Sequence, residues 1–186
     1  AVKINDGGNI GSGGGGDVVL GTVNMDITAV NDDPSISGLV SDVTVTEETA
    51  SDLDLSASTF ADVDSASDVA VKLTAGSGTM AASNSSGVAV SGSGTSTLTL
   101  TGTVSEINTF LNTSSKVQYT GATNITGNDA TTVTVKANDG DGSGDVTLGI
   151  VNIDITAVND DPSISGLVSD VTVIEETASD LDLSAS

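Results

Sequence analysis

The chain has 186 residues, with 26 acidic side chains against four basic ones, a net charge of −22, and neither Cys nor His. That charge disfavours nucleic acid, whose phosphates need Lys and Arg, and equally an anionic membrane surface; it favours cations, because crowded carboxylates repel until a divalent ion sits among them. Without Cys and His, disulfides, thiolate chemistry, His-based triads and the usual zinc ligand sets are excluded, and no nucleophile–base pair can be assembled, so the chain does not read as an enzyme.

In chain order, "VKINDG" at 2–7 and the extended run 17–28 read as a strand pair, and both return later. Residues 20–58 match 148–186 at an offset of 128, differing only at Thr22/Ile150, Met25/Ile153 and Thr46/Ile174. "VKINDG" matches "VKANDG" at 135–140, and the slip in offset falls in the Gly-rich stretch "GNIGSGGGG", as a surface hairpin tolerates. The period is one domain's worth of chain rather than the length of a solenoid repeat. The chain therefore reads as a window on a tandem array. It holds the C-terminal strands of one repeat (1–31), a complete repeat (32–159) and the N-terminal strands of a third (160–186).

Within the complete repeat, "DVTVTE" (42–47) and "DLDLSAS" (52–58) predict the first two strands, and "DVAVKLTA" (68–75) alternates cleanly as a third. "GVAVSG" (87–92) and "STLTLTG" (96–102) are the fourth and fifth. At 103–114 the period changes: Thr103 stands three residues before Glu106, a capping-box spacing, and Val104, Ile107, Phe110 and Leu111 follow a helical repeat. A brief extended piece at 116–121 then leads to a last hairpin, "TTVTVKAN" (131–138) and "DVTLGIVNIDITAV" (145–158). The expected fold is all-β: an antiparallel Greek-key β-sandwich with one short helix between late strands.

Strand alternation places the acidic groups at two poles. At the leading end, Asn31, Asp32 and Asp33 before Pro34 would meet Asp62 and Asp64 of "FADVDS" and Asp139 of "KANDG". At the trailing end, Asn159, Asp160 and Asp161 would meet Glu47 and Glu48, with Asn128 or Asp129. Calcium takes six to eight oxygen ligands from such flexible carboxylate, amide and carbonyl sources. Asp and Asn before Pro are also ordinary turn residues, and Asp62 and Asp64 suit a solvated loop, so neither segment alone specifies a metal. It is their joint placement that favours Ca2+.

The linker "AVNDDP", the "FADVDS" segment, the late "VKANDG" and the Glu47-Glu48 pair resemble the signatures of cadherin-like repeats in large bacterial surface adhesins, including those of RTX type. Ala29 stands where that linker carries its first Asp, Asp33 replaces its last Asn, and Asp129 is the nearest stand-in for its Asp-Arg-Glu segment. The resemblance implies calcium bound between successive repeats, stiffening the chain. It further implies an extracellular location, on a bacterial cell surface or in secreted matrix, and an extender module whose partners are neighbouring repeats of the same protein. The alternatives are a self-assembling filament built by strand exchange between repeats, and a glycan- or surface-binding adhesive domain.

Overall fold

The clean alternation at 69–75 becomes β-structure with one face in a core and the other towards water. This is seen in a computed structural model that describes residues 1–5, 16–65, 67–142 and 144–165, together with 173, 175, 176 and 178. All but the last residue of the expected loop 8–16, and much of the segment 160–186, thus lie outside the described residues. The chain divides into two compact units, 1–32 and 33–186.

In the first unit, β1 (Val2–Ile4) and β2 (Val18–Gly21) pair antiparallel, with Lys3 opposite Val19. Asn5 donates its side-chain amide to Asp17 Oδ1 at 3.0 Å beside the hairpin. Val23, Met25 and Ile27 are exposed here, whereas their repeat counterparts Val151, Ile153 and Ile155 are buried in the second unit. Burial at these positions depends on the strands around them, not on the residues alone.

The second unit is an all-β, sandwich-like fold with one short helix. Its strands are β3 (Ser35–Ser37), β4 (Asp42–Thr46), β5 (Ser51–Asp52), β6 (Thr59–Ala61), β7 (Val69–Ala75), β8 (Thr79–Ala81), β9 (Ala89–Ser91), β10 (Thr97–Gly102), β11 (Gln118–Thr120), β12 (Gly127–Asn138) and β13 (Val146–Thr156). A six-stranded sheet runs β4-β13-β12-β7-β10-β9, a three-stranded sheet β5-β11-β8, and β3 pairs with β6. The expectation of a wholly antiparallel sandwich meets one departure. β4 and β13 lie parallel, Asp42 beside Asn152 and Thr46 beside Thr156, because the first long strand of the unit is laid along its last.

The core draws Val69, Val71 and Leu73 from β7, Leu98 and Leu100 from β10, and Val133 and Val135 from β12. Phe60, Met80 and Tyr119 enter it from the smaller sheets. The helix α1 (Val104–Leu111) adds Ile107, Phe110 and Leu111, the apolar stripe of its 3.6-residue period. Its capping box forms as the sequence predicts. Thr103 Oγ1 accepts from Glu106 N at 3.3 Å, and Glu106 Oε2 accepts from Thr103 N at 2.9 Å. That backbone donor holds the Glu106 carboxyl below its ordinary pKa.

One helix residue anchors a strand. Asn108 donates to Phe60 O and accepts from Phe60 N, both at 2.8 Å, so its amide takes the place of a neighbouring strand along β6. The β6–β7 loop is thereby set at one end of the unit. Among the described residues no helix is long and apolar enough to cross a membrane.

Candidate metal centre

Pairing fixes which acidic loops share an end. Ser35 faces Ala61, so Asp33 and the buried Pro34 run alongside the start of the β6–β7 loop at Asp62. Asn138 faces Ala70, so Asp139 leaves β12 where the same loop enters β7. The second unit thus brings Asp33, Asp62, Asp64 and Asp139 to its leading end. Asn31 and Asp32 belong to the first unit, where both are exposed to solvent.

Asp62 is the most unusual residue of this set. Its Oδ1 accepts from Ser65 N at 3.0 Å and from Asp64 N at 3.3 Å, an Asx-type turn that curls the loop back on itself. Its Oδ2 is shut off from water and has no hydrogen-bond partner. Desolvation pushes its pKa above the ordinary carboxylate value, overcoming the two backbone donors, and the Asp64 carboxyl, first through its proximity to the Asp62 side chain and then through its charge, adds to the rise. Asp139 is deeper still, 3% exposed, with Oδ1 accepting from Asp141 N at 3.0 Å. One enclosed oxygen of the half-buried Asp62 and the buried Asp139 thus lie at the same end, and burying a carboxylate oxygen is costly unless it is compensated. Behind Asp139, Asn138 Oδ1 accepts from Gly140 N at 2.8 Å, and Asp145 pairs with Lys72. The hydrogen bond from Lys72 holds the Asp145 carboxyl below its ordinary range, so this acid is already neutralised.

At the trailing end Glu47 is buried, 3% exposed, and both its carboxylate oxygens serve the backbone. Oε1 accepts from Asn124 N and Oε2 from Val158 N, the latter at 3.2 Å. Glu47 therefore ties the β4–β5 turn to the 121–126 loop and to the chain leaving β13. Glu48 is exposed in a left-handed conformation, φ 54°, and its repeat counterpart Glu176 has φ 61°, so the turn recurs with the sequence. Asn159, Asp160 and Asp161 are exposed, and Asn159 Nδ2 donates to Asp160 O at 3.2 Å.

Asp129 has a different neighbourhood from the one the sequence predicts. Opposite β13, four steps of β12 (Gly127 to Thr131) span only two residues, and in this bulge Asp129 takes φ 49°. Its N–H donates to Asp154 Oδ1 at 2.7 Å, and Asn128 Nδ2 donates to its Oδ2 at 2.8 Å. Carboxylate oxygens of Asp42, Asp129 and Asp154 then lie within 4.8 Å of one another on the outer face of the six-stranded sheet. Sequence reasoning missed Asp42 and Asp154. Each looks like an ordinary outward acid on a strand, and only the parallel β4–β13 register and the bulge unite them with Asp129.

The donor set at either end consists of hard oxygens without nitrogen or sulfur, which suits calcium or magnesium and not zinc or copper. The unpartnered Asp62 Oδ2 fits a divalent cation as its missing counter-charge, and the buried Asp139 lies at the same end. No family model matches this chain, and neither curated proteins nor solved structures gave a match.

Proposed function

We propose that the complete repeat is a calcium-stiffened extender module of a long extracellular bacterial adhesin, giving reach to cell-surface or cell–cell adhesion. The single observation that carries the reading is Asp62 Oδ2, a carboxylate oxygen withdrawn from water with no hydrogen-bond partner, at the same end of the unit as the buried Asp139. A hard cation there would compensate clustered carboxylates in a chain of net charge −22. Asp33, Asp62, Asp64 and Asp139 are the residues of this unit that would hold it, and "ND" at 31–32 immediately precedes them in the chain. The near-identical repeat supports the structural role, since an array of copies extends a chain and need not diversify a surface. Extracellular calcium modules bind at about 10⁻⁴–10⁻³ M, which matches the calcium of open fluids.

The test counts bound metal by native mass spectrometry, then compares small-angle scattering and limited proteolysis with calcium and with chelator. Calcium should protect the segments around 31–34 and 62–64 and lower the flexibility seen by scattering. An unchanged cleavage pattern and scattering curve would sink the proposal.

A further inference from the structure

A cavity opens away from the acidic ends, in the fork where β8 and β11 part. The two strands pair as far as Ala81 opposite Gln118, after which 82–85 turns towards β9 and 115–117 arrives from α1. Between these arms lies a space of about 330 Å³, bounded by Ser83, Asn84, Ser85, Ser93, Lys116 and Gln118 among others. Its walls are pinned from behind. Ser93 Oγ accepts from Ala82 N at 3.1 Å, Asn84 Oδ1 from Val90 N at 2.8 Å, and Asp52 Oδ2 from Ser115 N at 2.9 Å. Ser115 is held there in a left-handed conformation, φ 60°.

Two features of the lining point to a ligand. Ser85 Oγ is buried without a hydrogen-bond partner, which a native fold rarely leaves uncompensated. Lys116 is one of four cations in a chain of net charge −22, yet among the described residues it forms no ion pair, unlike Lys72. The rest of the lining is hydroxyl, amide and methyl, with no aromatic ring. Such a wall offers alternating donors and acceptors around one ammonium group. The volume is at the small end of ligand sites, which start at about 300 Å³, so it holds one ring and not a chain of them.

We infer that this fork binds a single sugar unit bearing a carboxylate, with Lys116 taking the acid group, Ser83 and Gln118 taking ring hydroxyls, and Ser85 turning its buried hydroxyl towards the ligand to gain the partner it lacks. The protein's distant negative charges are screened beyond about 8 Å at physiological salt, while Asp52, bonded to Ser115 next to Lys116, opposes the acid group locally. Lacking a stacking platform, the site binds weakly, with Kd of about 1–10 mM. The inference does not rest on calcium, because none of the pole residues lines the cavity.

The experiment is an amide NMR titration of the whole chain, in EDTA at fixed ionic strength, with sodium glucuronate, glucose and sodium acetate in parallel. Glucuronate should give saturable shifts at 83–85 and 116–118, with glucose and acetate each at least about tenfold weaker, as expected where a hydrogen bond to a charged group is lost. Lys116→Met should weaken glucuronate about tenfold and Lys116→Arg should restore most of it. Absence of saturation, equal responses to acetate and glucuronate, or an unaltered Lys116→Met titration overturns the assignment. The three-ligand comparison on the unmodified chain decides the matter even where a variant misfolds.

Discussion

Replacing Asp62 by Asn gives a stability change whose sign depends on calcium. The Asn side-chain oxygen can still accept from Ser65 N and Asp64 N, so the turn survives. What disappears is a negative charge with one oxygen buried and unpaired, a situation that costs about 1–3 kcal/mol. The incoming amide is itself unsatisfied there, which returns part of that gain. In EDTA, Asp62→Asn should therefore be neutral or up to about 1 kcal/mol more stable than the unmodified chain.

Calcium at about a hundredfold excess over Kd stabilises a one-site protein by about 2.7 kcal/mol. For a unit of this size that is a rise in Tm of about 5–11 °C, and the variant should forgo it. The pH dependence runs with the same logic. The folded-state pKa of Asp62 is raised from 3.8, so the native state holds its proton more tightly than the unfolded chain. The metal-free protein then loses this contribution as pH rises from 3.8 through the folded value, and the penalty is complete above it. A bound cation favours the ionised form and removes the decline. Differential scanning calorimetry of both proteins, with EDTA and with about 10–100 mM calcium, measures all of this. An equal destabilisation of Asp62→Asn in both buffers, or a Tm of the unmodified chain indifferent to calcium, would refute the reasoning.

Glu47→Ala orphans the N–H groups of Asn124 and Val158 and should cost about 2–5 kcal/mol, read as a lower urea midpoint in EDTA as well as in calcium. Asn108→Ala removes both bonds to Phe60 and should cost about 2–3 kcal/mol, with faster hydrogen exchange at the Phe60 amide. Phe110→Ala empties a fully buried position where the helix meets the core and should cost about 3–5 kcal/mol in equilibrium unfolding.

The strands legible in the sequence are those long enough to show their alternation, above all β7 and β10, where inward and outward residues change strictly. The helix was legible because its cap and stripe are both local. β3, β6 and β8 were not, since each holds at most one buried residue, whereas the equally short β9 and β11 have their alternation extended by the buried Val88 and Val117. The run 52–58 misled in the opposite direction. Leu53 and Leu55 are buried as strand residues would be, but β5 stops at Asp52. Asp54 Oδ1 accepts from Ser56 N at 2.9 Å, and Ser58 N closes a turn onto Leu55 O, so local bonds outcompete the ladder.

Site residues divide in a similar way. Asp62 and Asp139 were legible as acids of recognisable segments, yet their burial was not, because it depends on how the β6–β7 and β12–β13 loops fold over. Glu47 reads with Glu48 as a trailing-pole calcium ligand, and only its two backbone partners, distant in sequence, explain why it is enclosed. The Lys116 cavity had no sequence signal, since serines and one lysine form a pocket only through the splaying of β8 and β11.

The parallel pairing of β4 with β13 bears on how the module carries load. Tension applied where the chain enters β4 and where it leaves β13 acts along both strands in opposite senses. The five paired positions from Asp42–Asn152 to Thr46–Thr156 are then loaded together in shear instead of being unzipped one at a time. A module so wired resists extension until the whole seam slips at once, and single-molecule pulling should find an abrupt rupture in place of gradual peeling.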